Sequence, residues 1–405
     1  MSRAEQVIAR CRELASVTDV EGETTRTYLS DAMRRANALV STWMQEAGLT
    51  ACMDAAGNLR GVRTSTNKTR VVIASHLDTV PNAGAFDGIL GVLMGIAIAQ
   101  ELQDTQLPFS LEVIAFSEEE GVRFGVPCIG SRALVGTVDE ELLARSDRHG
   151  ITVREAIQNY GLDDTKLAQA KHSDVSAYLE FHIEQGPVLD SEGLPLGVVE
   201  SIAGQSRYQI HFHGHANHAG TAPMNLRQDA MSAAAEWIVE VERYARSTPG
   251  LVATVGSLQA LPGAGNVIAG EVRTTLDVRS ALDSVRNDAS EHLLLAAKQS
   301  GDARGVHVTS TIQMQQDAVP MDRGLLRLLE DAVDSTGCLV RRMVSGAGHD
   351  AMIVAPHMPA AMLFLRTPDG LSHHPDEAVA TGDVQLGLDT GIAFMKALAE
   401  REMNR

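Results

Sequence analysis

The chain has 405 residues, of which 44% are hydrophobic and 21% charged, so it has the composition of a folded globular protein and the length of two domains. Its formal net charge of −18 argues against a nucleic-acid partner, because binding to a phosphate backbone depends on clustered Lys and Arg. Four widely spaced cysteines, an N-terminus unlike a signal peptide and the lack of a membrane-length apolar run lead us to expect a cytoplasmic protein with free thiols and no membrane partner.

In chain order, the first strong pattern is an amphipathic helix near 30–46. Apolar runs then predict three buried strands: RVVIAS before His76, LEVIAFS before Glu118 to Glu120, and AYLEF before His182. A helical pattern, GVLMGIAIAQEL, separates the first two runs. Polar residues gather where each strand ends. Because ligands of open α/β sheets bind beyond the carboxyl ends of the strands, we expect these segments to supply one site.

A different pattern begins near residue 207. It reads as strand RYQIHFHG, helix RQDAMSAAAEWIVEVERYAR, strand LVATVGSLQA, strand EVRTTLDVRS, helix DSVRNDASEHLLLAAKQS and strand GVHVTSTIQM. This βαββαβ order predicts a ferredoxin-like α+β domain over 207–314, inserted into a catalytic α/β domain made of 1–206 and 315–405. The catalytic domain then resumes with a strand in AAMLFLR, the polar stretch TPDGLSHHPDE and an amphipathic helix near 387–402.

Each polar cluster, taken singly, has an ordinary structural explanation: His76 as a satisfied core histidine, Asp87 as a helix N-cap, and Glu118 to Glu120 as a solvated charge run. Five polar residues nevertheless fall at or just beyond the ends of predicted strands: His76, Asp87, Glu120, His182 and His373. Their mixture of nitrogen and oxygen donors is the one expected for Zn2+ or Mn2+, with Co2+ as a further candidate. Five such ligands suit two divalent metal ions per subunit that share one carboxylate.

Several motifs together resemble one known family. SHLDTV, FDG, SEEEG, FHIEQG, NHAGTAPM, GAGHDA and GLSHHP are similar to motifs of the N-carbamoyl-L-amino-acid hydrolase and allantoate amidohydrolase family, within the aminoacylase and zinc carboxypeptidase clan. The resemblance runs from about Val17 to the C-terminus, and HIEQGP and GAGHD point to the amidohydrolases rather than the peptidases. It implies a catalytic domain with a mixed central sheet flanked by helices, a lid and dimerisation role for the inserted domain, and a homodimer.

The resemblance also implies how the predicted ligands divide between two metal ions. Asp87 would bridge the ions, His76 and His182 would bind one of them, and Glu120 and His373 would bind the other. This arrangement makes Asp87 the shared carboxylate.

Two further carboxylates receive roles from the same resemblance. Glu119 would be the general base that takes a proton from the attacking water and hands it to the leaving nitrogen. Asp78 would orient the imidazole of His76, with a turn-forming aspartate as the alternative. Glu118 is expected to face solvent.

The inserted domain is expected to contribute His218, Asn266 and Arg279. His218 matches the family histidine that polarises the scissile carbonyl and reaches the site of the partner subunit, whereas His215 is interpreted as a surface residue. Asn266 and Arg279 match positions that bind the substrate carboxylate. For Arg279 the alternative is a surface ion pair with Asp277.

The remaining substrate-binding predictions concern specificity. Gln185 and His349 would line the pocket and hydrogen-bond the substrate. Gln205 and Arg207 are either specificity residues or merely the start of a strand. Their stretch, GQSRYQI, resembles the allantoate-type sequences, whereas GLPLGVVESIAG and LPGAGNVI look more like the carbamoylases.

The resulting expectation is a binuclear metal amidohydrolase that cleaves the ureido C–N bond of N-carbamoyl-L-amino acids. Its partner would be a small substrate carrying ureido and carboxylate groups. Allantoate is the nearest rival substrate, followed by the substrates of an aminoacylase or dipeptidase. A non-catalytic binding relative is the alternative from another class, but such a binder has no need of a general base such as Glu119.

Overall fold

The computed structural model describes residues 1–403. The last two residues of the predicted catalytic segment 315–405 lie outside the described residues. The chain divides into two compact units, Met1–Glu200 with Met321–Arg405, and Ser201–Pro320. No helix within 1–403 combines the length and the apolar character needed to span a membrane.

The helices and strands are numbered in chain order. The first segment comprises α1 (Arg3–Ala15), α2 (Asp31–Glu46), β1 (Thr50–Met53), β2 (Leu59–Arg63), β3 (Arg70–His76), α3 (Ile89–Glu101), β4 (Ser110–Phe116), α4 (Ile129–Val135), α5 (Glu140–Leu143), α6 (Val153–Asn159), β5 (Val175–Ile183), α7 (Val188–Glu192) and β6 (Leu196–Ile202). The middle segment comprises β7 (Gly204–His213), α8 (Ala230–Ser247), β8 (Leu251–Thr254), β9 (Leu258–Leu261), β10 (Glu271–Ser280), α9 (Asp283–Asp302), β11 (His307–Gln316) and β12 (Val319–Pro320). The last segment comprises α10 (Arg323–Ser335), β13 (Arg342–Ser345), α11 (Asp350–Val354), β14 (Ala360–Leu365) and α12 (Thr381–Met403).

A mixed sheet forms the core of the first unit. Its strands run in the order β1-β2-β4-β3-β5-β14-β6, and β13 also pairs with β6. The central strands β4, β3, β5 and β14 are mutually parallel, whereas β2 and β6 pair with them in the antiparallel sense. The predicted α/β class with a mixed central sheet is therefore confirmed. The four parallel strands end at the same edge of the sheet, where ligand sites of such sheets form.

The apolar runs that predicted strands are β3, β4, β5 and β14. All residues of β4 and β14 are buried, as expected for parallel strands covered by helices on both faces. Helix α3 packs against β3, β4 and β5. Gly91 permits this close approach, because a Cβ there would lie 2.1 Å from the carbonyl oxygen of Phe181.

The second unit has its own sheet, with strand order β11-β7-β10-β8 and with β9 also paired to β10. Along the chain the elements follow the order of a split βαβ unit. Helices α8 and α9 pack on this sheet around Trp237, whose indole nitrogen donates to the carbonyl of Leu293 at 2.9 Å. At the ends of the unit, β12 pairs with the last residues of β6.

One predicted strand of the second unit is interrupted. The run LVATVGSLQA was predicted as a single strand, but β8 and β9 are separated by 255–257, and each pairs with a different part of β10. At the interruption the hydroxyl of Thr274 donates to the carbonyl of Ser257 at 2.7 Å. A side-chain hydrogen bond thus replaces the backbone ladder at this point.

Candidate active site

Three buried side chains converge at the carboxyl edge of the first unit's sheet. His76 ends β3, His182 lies near the end of β5, and Asp87 precedes α3. The Nε2 atom of His182 lies 3.2 Å from Asp87 Oδ1 and 3.4 Å from Nε2 of His76. Each imidazole directs Nδ1 to a main-chain carbonyl, that of Asp78 at 3.0 Å for His76 and that of Ile183 at 2.9 Å for His182. Both Nε2 atoms therefore lie near Asp87 Oδ1, an arrangement that fits a divalent cation.

A second group forms on the other oxygen of Asp87. The Nε2 atom of His373 lies 3.2 Å from Asp87 Oδ2 and 3.6 Å from Glu120 Oε1. Asp87, Glu120 and His373 form one set of potential metal ligands, and His76, Asp87 and His182 form another. Asp87 is common to both sets, and each of its oxygens faces a different set.

The charges of this cluster shift the ionisation of its members. Burial raises the pKa of Asp87, but the hydrogen bond from His373 and the charges of His182 and His76 outweigh it, so the pKa lies below the ordinary value. Burial and the charge of Asp87 raise the pKa of Glu120 to about 7. Burial lowers the pKa of His182 to about 4, which keeps this imidazole neutral, the state in which it binds metals.

Asp78 links β3 to the loop that follows β4. Its carboxylate lies 3.5 Å from Nδ1 of His76. It also accepts from the main-chain N–H groups of Glu119, at 2.9 and 3.0 Å, and of Glu120, at 3.0 Å. One buried carboxylate therefore lies beside a histidine of the first ligand set and binds the main chain of the loop that carries the two glutamates.

Glu119 lies within this site with only 9% of its surface exposed. It forms a third potential ligand set with His76 and Glu120. Burial raises the pKa of Glu119 well above its ordinary value, although the charge of His76 opposes the shift. A carboxylate with a raised pKa beside a cation site is suited to exchange protons near neutral pH.

Glu118 does not face solvent, so that expectation is wrong. Its side chain is fully buried, and burial, followed by the charge of Asp78, raises its pKa well above the ordinary value. The physical reason is that the carboxylate of Asp78 accepts hydrogen bonds from the main-chain N–H groups of Glu119 and Glu120. These bonds turn the loop inward instead of letting it run along the surface.

Gln185 and His349 both lie close to the ligand sets. The side-chain amide of Gln185 donates to both oxygens of Asp87, at 3.1 and 3.2 Å. His349 is buried, with its ring edge-on to that of His182 at 4.4 Å and its Nε2 3.0 Å from Ser345 Oγ. Gln185 also has a φ of 58°, and a non-glycine residue in this left-handed region is typical of functional sites.

Within the second unit, His218 and Asn266 are brought together. His218 forms an isolated bridge with Val267, and the N–H of Ala219 donates to the carbonyl of Asn266 at 2.9 Å. Both residues are exposed. The Nδ1 atom of His218 accepts from the N–H of Gly220 at 3.0 Å.

Gln205, Arg207 and Arg279 lie on one face of the second unit's sheet. Gln205 is the cross-strand partner of Arg279, and Arg207 is that of Asp277. Arg279 donates to both oxygens of Asp277, each at 2.9 Å, and Arg207 donates to Oδ2 at 2.8 Å. The ion pair considered as the alternative role of Arg279 is thus present.

Sequence reasoning missed two buried charged residues near the site. Arg26 donates through Nε to the carbonyl of Leu77 at 2.8 Å, and Glu377 accepts from the N–H of Asp87 at 2.9 Å. Glu377 lies in the stretch TPDGLSHHPDE together with His373. An acidic residue that close to a predicted ligand was the available signal.

The chain is similar to known proteins over nearly its whole length. Residues 72–401 match the model of peptidase family M20/M25/M40. A probable allantoate deiminase from Oryza sativa subsp. japonica is 40% identical, over 94% of this chain and 85% of that protein. An N-carbamoyl-L-amino acid amidohydrolase from Geobacillus stearothermophilus is 39% identical, over 99% of this chain and 100% of that protein.

A solved structure gives the same result for the fold. The crystal structure of an amidase of the hydantoinase/carbamoylase family from Burkholderia multivorans has a TM-score of 0.93 and 31% identity, covering 98% of each chain. Together with the ligand sets, these similarities make the protein a metal-dependent hydrolase that acts on amide C–N bonds. The chain belongs to peptidase family M20/M25/M40.

Proposed function

We propose that the protein hydrolyses the ureido C–N bond of N-carbamoyl-L-amino acids, releasing ammonia, carbon dioxide and the L-amino acid. The observation that carries this proposal is Asp87, whose two oxygens face two separate ligand sets next to the buried carboxylate of Glu119. The substrate class is supported by the Geobacillus relative, which aligns over 99% of this chain and over its own full length.

In this proposal the ligand sets hold two divalent ions, Zn2+ or Mn2+, with Co2+ as a further candidate. His76 and His182 hold one ion, Glu120 and His373 hold the other, and Asp87 is shared. Such ions, when bound, acidify water and polarise a carbonyl oxygen. Imidazole nitrogens and carboxylate oxygens are the donors that these ions prefer.

Glu119 is the proposed proton carrier. Its carboxylate accepts a proton from the attacking water and later delivers it to the departing nitrogen. A raised pKa favours this exchange, because a strongly acidic carboxyl group would not retain the proton long enough to donate it. Asp78 fixes the main chain of Glu119 and so limits where the carboxylate can lie.

The second unit supplies the proposed substrate-binding groups. His218 stabilises the oxyanion, acting in the site of the partner subunit, while Asn266 and Arg279 bind the substrate carboxylate, with Gln205 and Arg207 as specificity residues. Arg279 then pairs with the substrate carboxylate, either while it keeps its ion pair with Asp277 or after it releases that pair. In the first unit, Gln185 and His349 line the pocket.

Allantoate is the second candidate substrate, and a specific observation favours it. The rice relative, a probable allantoate deiminase, is 40% identical to this chain. The Geobacillus N-carbamoyl-L-amino acid amidohydrolase is 39% identical. Allantoate also carries a carboxylate beside ureido groups, so the same site residues would bind it.

The substrate is tested by an ammonia-release panel of N-carbamoyl-L-amino acids and allantoate, with amino-acid release followed for N-acetyl amino acids and dipeptides. We expect N-carbamoyl-L-amino acids to give the highest kcat/KM. Higher kcat/KM on allantoate would transfer the assignment to that substrate. A chelator-treated sample is the control, and it should be inactive until Zn2+, Mn2+ or Co2+ is restored.

A homodimer through the second unit is part of the proposal. Among the described residues, β11 is an edge strand of that unit's sheet, and its sequence HVTSTIQMQQ has no Lys, Arg, Asp or Glu. Natural edge strands usually carry such charges to prevent pairing. Large apolar side chains of the same unit are also exposed to solvent. Met224 is 77% exposed, Leu226 73% and Ile312 60%. These features favour association of two copies about a two-fold axis.

A further inference from the structure

Glu377 is buried beneath the loop that carries Asp87. Only 5% of Glu377 is exposed, and its Oε1 accepts from the main-chain N–H groups of Phe86 and Asp87, each at 2.9 Å. The two partners are about 290 positions away in the chain. This contact therefore joins the turn before α3 to the loop before α12, and no local turn preference can explain it.

The loop 373–377 contacts Asp87 at two places. His373 reaches the side chain, with its Nε2 3.2 Å from Oδ2, and Glu377 reaches the main chain. The loop is itself closed by a hydrogen bond from the N–H of Glu377 to the carbonyl of His374 at 3.1 Å. The main chain and the carboxylate of Asp87 are consequently fixed by the same five residues.

Gly84 provides the space that Glu377 occupies. A Cβ at position 84 would lie 2.4 Å from Cβ of Glu377 and 2.7 Å from its Oε1. Any larger residue would have to displace the glutamate from the two amides. Burying a carboxylate is costly unless it is hydrogen-bonded, and the two N–H groups offset that cost at this position.

We propose that Glu377 is a positioning residue that fixes the main chain of Asp87, so that the two carboxylate oxygens face the two ligand sets. The inference rests on the proposed function, in which Asp87 is the shared metal ligand. Residues that orient metal ligands typically change metal affinity 10- to 100-fold when they are removed. Glu377 acts through Asp87 and does not need to contact the substrate.

Metal affinity is the measurement that tests this role. Purified full-length protein is freed of metal with a chelator and titrated with Zn2+ in competition with an indicator dye. We expect Glu377→Ala to bind Zn2+ about 10- to 100-fold more weakly than wild type. Glu377→Gln retains an oxygen that can accept both N–H groups, so its affinity should stay within a few-fold of wild type. Equal weakening in both variants would contradict positioning by the acceptor oxygen.

Asp322 provides the matched control for loss of a carboxylate that caps two amides. It accepts from the N–H groups of Gly324 and Leu325, each at 2.9 Å, at the start of α10. Asp322→Ala should lower the thermal unfolding midpoint of the metal-free protein and leave Zn2+ affinity unchanged. If it weakens Zn2+ binding as much as Glu377→Ala does, the effect of Glu377 is merely structural.

Gly84→Ala is the second variant, because it displaces Glu377 without changing its chemistry. Gly382→Ala is its control, since a Cβ at Gly382 meets nothing within 4 Å. We expect only Gly84→Ala to weaken Zn2+ binding, and this comparison remains decisive if Glu377→Ala fails to fold.

The outcomes for the proposed function and for Glu377 are distinguishable. Wild-type protein that binds no metal would refute the proposed function. Normal Zn2+ binding by the wild type, with unchanged affinity in Gly84→Ala and Glu377→Ala, would refute only the role of Glu377.

Discussion

Asp87 is contacted from several sides. Gln185 donates to both carboxylate oxygens, His182 and His373 each approach one oxygen, and Glu377 holds the main-chain N–H. A buried carboxylate is costly by itself, and these hydrogen bonds and charges offset the cost. Because each oxygen already has a fixed direction, little rearrangement is needed for both to act as ligands.

Glu119→Gln separates proton transfer from metal binding. The amide is nearly the same size but cannot accept a proton from water, so we expect kcat to fall by about 100- to 10,000-fold. Metal content, measured by mass spectrometry, and substrate binding should stay near wild type. Surviving turnover would remove Glu119 from the role of base, and loss of metal would instead make it a ligand.

Gly88→Ala is expected to disturb His76 directly. A Cβ at position 88 would lie 2.4 Å from Nε2 of that histidine, so the ring must move and bound metal should fall below wild-type stoichiometry. Gly125→Ala is the matched control, because both glycines have φ of 68° and a Cβ at 125 meets nothing within 4 Å. Both substitutions place a side chain at a left-handed φ, which costs about 1 kcal/mol of backbone strain. Only Gly88→Ala should lower the amount of bound metal. Equal metal loss in both would attribute the effect to strain alone.

Arg279→Ala tests recognition of the substrate carboxylate. Loss of a charge-assisted pair should weaken substrates with an α-carboxylate by about 10- to 100-fold in KM, and their amide analogues much less. Arg273→Ala is the control on the same strand, since Arg273 pairs with Glu271 at 2.7 Å as Arg279 pairs with Asp277. Equal losses on acids and amides would assign Arg279 to the ion pair with Asp277.

The residue types of the site could be predicted from the sequence, but their surroundings could not. Motifs at strand ends place His76 and His182 because strand direction is a local property. The left-handed backbone of Gln185 and His373 and the burial of Glu118 depend on contacts between distant segments. A single sequence does not display such contacts.

At the scale of elements, apolar patterning predicted β3, β4, β5 and β14 because fully buried strands need apolar side chains on both faces. The same reasoning failed between β8 and β9, where both halves of the run are apolar enough for one strand. The interrupted stretch 255–257 contains Gly256, and a glycine within a run weakens strand pairing; at the same place the hydroxyl of Thr274 donates to the carbonyl of Ser257. Patterning therefore predicts where strands lie better than where they break.

Glu112 should make a large contribution to the stability of the first unit's sheet. It lies on β4, fully buried, and binds Arg60 of β2 at 2.5 Å, Arg70 of β3, and His172 at 3.0 Å. We expect Glu112→Gln to lower the free energy of unfolding by about 3 kcal/mol at pH 7, because it removes the buried charge that pairs with the half-buried Arg60 and Arg70. Urea unfolding measures the free energy of unfolding of each variant. Glu46→Gln is the control: it breaks the exposed pair with Arg10 and should change the free energy of unfolding by less than about 1 kcal/mol.

The Glu112 effect should also depend on pH. Burial raises the pKa of Glu112, but the hydrogen bond from His172 and the charge of Arg60 outweigh it and lower the pKa from 4.5 to about 2. A carboxyl group with a lowered pKa stabilises the fold above its unfolded-state pKa, and this stability is lost as pH falls toward the folded-state value. The difference between wild type and Glu112→Gln should therefore shrink below about pH 4.5. A difference that stays constant from pH 7 to pH 3.5 would contradict the assignment.

At the scale of the whole molecule, the sequence predicted an insert over 207–314, and the second compact unit spans Ser201–Pro320. The difference lies at the junction, where Ser201 and Ile202 at the end of β6 pair with β12. Sequence patterns indicated the change from parallel to split βαβ organisation, but not the short pairing that closes the unit. The role of this unit as a lid and dimerisation domain is a separate hypothesis, which needs a functional test.

That test combines two inactive variants. If His218 completes the site of the partner subunit, Glu119→Gln and His218→Ala should each be nearly inactive alone. In a mixed dimer, the His218→Ala subunit keeps Glu119 and receives a normal His218 from its partner, so one of the two sites is intact. With random pairing about half the dimers are mixed, and roughly a quarter of wild-type ammonia release should return. Differently tagged chains verify that subunits have exchanged after dissociation and reassociation. Verified exchange without regained ammonia release would show that His218 acts within its own chain or has no part in catalysis.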